Sequence, residues 1–185
     1  SVSKLDTTGL AGGLFVVNDV EVSSNGIIFV CNMTTNAQTT PFKVYRYDSE
    51  AAAPVAVINY AAPTGMRLGD KFTVTGSTAD NSIVIWAASA NSNQLVKFTT
   101  ADNGLTFTPE IVTLSTLTGA AFGSAAVGPY ADGKFYWNAG GFNPKKFTST
   151  GSLVGTVPGS VVATGSNAIR FLRNLAGDEY IATYA

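Results

Sequence analysis

The sequence predicts an all-β fold, a β-propeller of four-stranded antiparallel blades, with about four blade-equivalents and the last one shared between the two ends of the chain. Three observations predict it. Short apolar, β-branched runs alternate with turn signals along the whole chain, and no stretch holds apolar residues at helical spacing beyond a turn or two. A triplet of basic residue, aromatic and turn-former occurs as Arg46-Tyr47-Asp48, Lys97-Phe98-Thr99 and Lys146-Phe147-Thr148, with the aromatics 51 and 49 residues apart. The turns between first and second strands, at Gly26, Asn81 and Gly133, step by 55 and 52 and keep phase with the triplet. A period near fifty residues marks a repeat array of meanders.

Each element follows from local chemistry. Residues 1–12 resemble a later stretch: Lys4-Leu-Asp-Thr-Thr-Gly9 matches Lys146-Phe-Thr-Ser-Thr-Gly151, so the head reads as the third and fourth strands of a half-blade. The blade at 18–60 opens with the alternating strand 18–22, turns at Ser24-Asn-Gly26, and continues through strands 27–33, 42–47 and 54–60. The blade at 66–114 holds strands 70–75, 82–89, 94–100 and 107–114, with turns at Ala79-Asp-Asn81 and Asp102-Asn-Gly104. The blade at 123–157 holds strands 123–128, 134–138, 144–147 and 153–157. Residues 167–185 supply two further strands, 167–172 and 179–185, and complement the head. A single propeller over 1–185 is the expected domain organisation, either closed within one chain or joined between copies through the half-blades. A meander has one apolar face that it cannot cover alone, and stacking on a copy of itself covers it. A sandwich would not require the same triplet to recur in phase.

Composition narrows the function classes. Hydrophobic residues at 45% exclude disorder, and charged residues at 12% leave Ser, Thr, Asn and Gly to make the surface polar. With a net charge of −1 and no basic run longer than Lys145-Lys146, nucleic acid is not an expected partner. No apolar stretch reaches the length of a membrane span, and no charged-then-apolar leader stands at the N-terminus. The one cysteine, Cys31, lies in an apolar strand and reads as a buried thiol. The chain contains no histidine, which removes Ser-His-Asp and Cys-His nucleophile systems and His-ligated metals. No catalytic residue, metal or cofactor is assigned.

Three segments resemble a known family: Asn18-Asp-Val20, residues 36–47 with Thr-Thr-Pro-Phe-Lys-Val-Tyr-Arg-Tyr, and Gly69-Asp-Lys-Phe-Thr-Val-Thr-Gly76. They are similar to a propeller-type domain of unknown function from secreted Bacteroidetes proteins. The resemblance covers most of the chain and implies export, a surface role in nutrient capture, and a longer parent protein. Its motifs are structural, so it transfers no catalytic residue.

Candidate chemistry divides by position. Asp48, Asp80, Asp102, Asp132 and Asp178 sit at turns in phase with the repeat, where a carboxylate bonds its own backbone. Asn18, Asp19, Arg67, Asp70, Asn167 and Arg170 fall at or just before the first strand of successive blades, which in a propeller lines the channel mouth. They are the candidate ligand-binding residues, for a sugar, a carboxylate or an ion. Knitting neighbouring blades together is the competing role. Trp86, Tyr136 and Trp137 read as core, and Lys43, Arg46, Lys97 and Lys146 as side chains laid along blade faces. Three readings stay open. One is an exported binding or scaffold module for a glycan or protein at the rim or channel mouth. Another is a lyase or hydrolase using Tyr130, Tyr136 or Arg67, or carboxylates. The third is an assembly unit joined by its terminal half-blades.

Overall fold

The computed structural model describes residues 4–35, 37, 39–117, 126–129, 133–139, 142–157, 168–173 and 179–184. These are all-β. Sheet 1 contains β1 (Phe15–Val22), β2 (Ile28–Met33), β3 (Phe42–Tyr47) and β4 (Val55–Tyr60). Sheet 2 contains β5 (Phe72–Thr75), β6 (Val84–Ala88), β7 (Gln94–Thr99) and β8 (Thr108–Thr113). Sheet 3 contains β9 (Ala126–Pro129), β10 (Lys134–Asn138), β11 (Lys145–Thr148) and β12 (Leu153–Thr156). A two-stranded sheet 4 pairs β13 (Ala168–Arg173) with β14 (Glu179–Tyr184). Every sheet is an antiparallel meander in chain order. The first strands are neighbours in succession, β5 lying against β1, β9 against β5, and β13 against β9.

Among the described residues, two cores lie between sheets. Phe29, Cys31, Phe42 and Val44 of sheet 1 pack on Phe72, Val74, Ile85, Val96 and Phe98 of sheet 2. Trp86, Ala88, Leu95 and Val112, on the opposite face of sheet 2, pack on Val127, Phe135, Trp137 and Phe147 of sheet 3. Alternation explains the division, because neighbours along a strand project to opposite faces. Two glycines permit the close approach. Gly69 has φ +92°, and a Cβ there would collide with the main chain of Asn32 in sheet 1. Gly151 has φ +86°, and a Cβ there would collide with the main-chain oxygen of Thr113 in sheet 2.

The cross-strand register explains the repeated triplet. Its basic residue stands opposite an aromatic of the second strand: Arg46 opposite Phe29, Lys97 opposite Trp86, Lys146 opposite Tyr136. Lys97 Nζ lies 5.7 Å from the Trp86 ring centroid, and Lys146 Nζ 5.6 Å from that of Tyr136, within cation–π range. The next residue in the triplet projects to the other face, where Phe98 and Phe147 enter the core shared with the preceding sheet.

Some expected boundaries shift. The first strand of sheet 1 begins at Phe15 instead of residue 18, with a register irregularity between Phe15 and Asp19. Strands do not form over residues 4–12, contrary to the half-blade expected there. The likeness to residues 146–151 resides in the turn: Gly9 has φ +84° and Gly151 +86°, each closing a bend between Thr and Gly. Leu5 and Leu10 instead pack on Val30, Tyr45 and Tyr47, on the face of sheet 1 turned away from sheet 2. Of the turn expected at Ala131-Asp-Gly133, residues 131 and 132 lie outside the described residues, and Gly133 has φ +74°.

Candidate functional site

The connection from β4 to β5 builds a polar cluster at the seam of sheets 1 and 2. Its residues alternate. Met66 and Leu68 are buried in the core between these sheets, which leaves Arg67 on the solvent side. Main-chain bonds fix the segment at both flanks. Thr34 N donates to Leu68 O at 2.9 Å, Leu68 N donates to Thr34 Oγ1 at 2.9 Å, and Ala90 N donates to Arg67 O at 3.0 Å. Arg67 N in turn donates to Asn91 Oδ1 at 2.6 Å.

Arg67 then closes on Asp70 as a fork. Its Nε donates to Asp70 Oδ2 at 2.8 Å and its Nη2 to Asp70 Oδ1. The Asp70 side chain is only 6% exposed, whereas that of Arg67 is 26% exposed. The carboxylate is therefore a fixed, desolvated anchor, and the guanidinium keeps an edge in water. Nη1 makes no hydrogen bond among the described residues. From β1, Asn18 Nδ2 donates to Gly69 O at 2.6 Å and to Asp70 O at 3.2 Å. Asp19 is buried, and its Oδ2 accepts from Phe72 N at 3.3 Å.

The structure thus brings Asn18, Asp19, Arg67 and Asp70 together across the β1–β5 seam. Asn18 is committed to main-chain oxygens of the β4–β5 connection and Asp19 to the first amide of β5, so their geometry ties β1 to the start of sheet 2. Arg67 is the member with donor capacity left over. Arg170 stands in β13 opposite Ala182, two sheets further on, and Asn167 lies outside the described residues. Asn91 was not singled out in sequence. It belongs to the bend 90–93, and only the packing of that bend on residue 67 brings it to this cluster.

The turn carboxylates are occupied locally. Asp102 accepts from Thr106 Oγ1 at 2.6 Å, Thr106 N at 2.9 Å, Thr100 Oγ1 at 2.7 Å and Leu105 N at 3.1 Å. The Thr106 bonds lead in holding its carboxyl well below the usual range. Asp80 is lowered by the hydroxyl and amide of Ser82. Asp48 pairs with Arg46 Nε at 2.6 Å, while Arg46 Nη1 donates to Asn103 O in the turn between β7 and β8 at 2.6 Å. Asp132 and Asp178 lie outside the described residues. Trp86 and Trp137 are buried core residues, and Tyr136 is half-buried. Asn32 is buried, with Nδ2 donating to Pro41 O and Oδ1 accepting from Lys43 N, so its side chain is occupied. Among the described residues no three His, Cys, Asp or Glu side chains gather as a metal site, and no helix is long and apolar enough to cross a membrane.

Two solved structures share the fold. One is a DUF4623 family protein from Bacteroides eggerthii DSM 20697, with TM-score 0.71, 15% identity, and 97% of this chain aligned to 40% of that one. The other is an endo-arabinase from Bacteroides thetaiotaomicron VPI-5482, with TM-score 0.61, 14% identity, and 99% of this chain aligned to 75% of that one. The chain therefore spans less than half the length of the DUF4623 structure. At such identities the likeness concerns the fold alone. No curated protein matches the sequence. A family model does match, over residues 16–128, and by that match the chain belongs to the family described as Domain of unknown function (DUF8500).

Proposed function

We propose that residues 1–185 form one propeller-type unit, its sheets arranged as successive blades, and that the unit is an exported module binding a glycan at the β1–β5 seam. The succession of first strands β1, β5, β9 and β13 supports the blade arrangement, as do cores that each lie between consecutive sheets. Similarity to Bacteroides structures, one of them an endo-arabinase, supports export and a saccharide ligand. The low charge and Ser/Thr/Asn-rich composition agrees with that setting.

The observation that carries the binding reading is the Arg67–Asp70 fork. A buried carboxylate holds a guanidinium in one orientation, and the exposed edge of that guanidinium presents donors to ligand oxygens. A pre-oriented donor loses less entropy on binding than a freely rotating one. Sugar hydroxyls accept from such an edge, while Asn18 and Asp19 keep the platform rigid.

Titration with arabino-oligosaccharides, followed by amide chemical shifts, tests this. Shifts should concentrate at Asn18, Arg67, Gly69 and Asn91. Arg67→Lys keeps the charge and loses the fork, and should weaken binding by about tenfold. Saccharide binding that is unchanged by Arg67→Lys would overturn the placement, and absence of binding would overturn the ligand class. The second reading is a hydrolase, favoured by the fold likeness to an endo-arabinase. Release of new reducing ends from arabinan by the pure chain would support it.

A further inference from the structure

The two ends of the sheets differ in kind. Turns at one end carry Asp48, Asp80 and Asp102, which are held by Arg46, by Ser82, and by Thr100 and Thr106. At the other end lie the connections from second to third strand, β2–β3 (34–41), β6–β7 (89–93) and β10–β11 (139–144), and none of the three holds a charged residue. Hydrogen bonds place the first two beside Arg67. Thr34 N donates to Leu68 O at 2.9 Å, and Ala90 N to Arg67 O at 3.0 Å. Sheet 3 continues the row. Thr73 Oγ1 of β5 donates to Val127 O of β9 at 2.6 Å, and Asn138, at the end of β10, stands opposite Ala126, at the start of β9.

Among the described residues, five buried side-chain atoms lack a hydrogen-bond partner, and four of them belong to this end: Thr40 Oγ1, Ser92 Oγ, Asn138 Oδ1 and Asn143 Oδ1. A shielded polar atom without a partner costs free energy. Asn138 is fully buried, with Nδ2 donating to Phe142 O at 2.9 Å. Thr40, Ser92 and Asn143 are only half-buried residues, and a change of rotamer turns each polar atom outward.

We propose, resting on the Arg67 reading above, that the ligand is an uncharged polysaccharide chain, which runs from Arg67 along this end across sheets 1 to 3. The hydroxyls of Thr40 and Ser92 donate and accept, and the Asn143 carbonyl accepts, which matches sugar hydroxyls that do both. An acidic chain would meet acceptors with no cation in these connections, and a cationic one would meet no carboxylate there. The β4–β5 connection adds Arg67 and Asp70, which neutralise each other, and Lys71. Stacked sheets lie about 10 Å apart, so the row spans about 20 Å, more than a disaccharide bridges.

Calorimetric titration with neutral arabino-oligosaccharides, from disaccharide to hexasaccharide, tests this beside oligogalacturonates of the same lengths. Affinity for the neutral series should rise with length by about tenfold or more, and the acidic series should bind more weakly. Thr40→Val, Ser92→Ala and Asn143→Ala remove polar atoms that have no partner, so urea midpoints should not fall. Each should weaken hexasaccharide binding about fivefold, the net worth of one hydrogen bond. Asn143→Ala should leave disaccharide binding unchanged. Affinity independent of length would overturn the extended track, and so would hexasaccharide binding indifferent to all three variants, as when water alone serves these atoms. In either case a loss of binding in Arg67→Lys would leave the seam reading standing. Tighter binding of oligogalacturonates would overturn the uncharged class, and no binding by either series would overturn both readings.

Discussion

Tyr47 donates its hydroxyl to the main-chain oxygen of Asp6 at 2.7 Å, across 41 residues of sequence. Tyr47 occupies the triplet position that Phe98 and Phe147 hold in sheets 2 and 3. Those phenylalanines enter cores between sheets, where a hydroxyl would find no partner. Tyr47 faces residues 4–12, an irregular segment with main-chain groups to satisfy. Tyr45 does likewise, accepting from Ala11 N at 3.0 Å and donating to Ala11 O at 3.2 Å. The two hydroxyls clip the N-terminal segment to the sheet.

Tyr47→Phe should therefore cost about 1 kcal/mol, the net worth of one such hydrogen bond. The reverse change in the next sheet, Phe98→Tyr, should cost about 1–3 kcal/mol by burying a hydroxyl without a partner. Urea midpoints at constant slope measure both. A Phe98→Tyr chain as stable as wild type would contradict the buried position of that ring.

The same tyrosine gives an alkaline limit. Burial, aided by the charge of Asp6, raises the Tyr47 pKa above its ordinary value near 10, and burial raises that of Tyr60. A group raised in the folded state contributes its stability in full below the unfolded pKa and loses it as pH rises through the folded one. The melting temperature should fall above pH 10, and fall less steeply in Tyr47→Phe. At the acid end, the lowered Asp102 and Asp80 contribute above the unfolded carboxylate pKa, so stability should fall below about pH 4. Asp102→Asn should flatten that limb.

Gly69→Ala combines two penalties, a left-handed φ of +92° and a Cβ that collides with the main chain of Asn32. Gly26→Ala carries only the first, since nothing lies within 4 Å of its Cβ. Gly26→Ala should cost about 1 kcal/mol, and Gly69→Ala should cost clearly more. Equal losses in thermal unfolding would show that the close approach of sheets 1 and 2 does not matter.

Lys97→Met keeps the apolar stem that lies against Trp86 and removes the ammonium near the ring. It should cost under about 1 kcal/mol, with a shift in tryptophan emission. Trp86→Ala removes a ring from the core between sheets 2 and 3, where it packs on Phe135 at 5.4 Å, and should cost about 3–5 kcal/mol.

Strand identity was legible in sequence because it rests on local chemistry. The apolar runs over 27–33 and 134–138, bounded by turn formers with positive φ at Gly26, Asn81 and Gly133, specify a meander whatever surrounds it. The triplet was visible for the same reason, as a side-chain pattern locked to the strand period. Its meaning needed the register, since only cross-strand pairing shows that Lys97 lies by Trp86 while Phe98 enters the opposite core. The expected strand starts at residue 18 because the alternation of Asn18-Asp-Val-Glu-Val22 begins there, whereas β1 already starts at Phe15. Phe15, Val16 and Val17 are all exposed, so this end of β1 is paired to β2 without entering either core. Residues 4–12 were misread because a turn sequence records its own backbone angles and says nothing of whether its flanks find strands to pair with. At the candidate site, residue types pointed to Asn18, Asp19, Arg67 and Asp70. Tertiary packing alone decided that three of them are held by one another or by the main chain, and that Arg67, lifted to the surface between buried Met66 and Leu68, keeps an edge for something else.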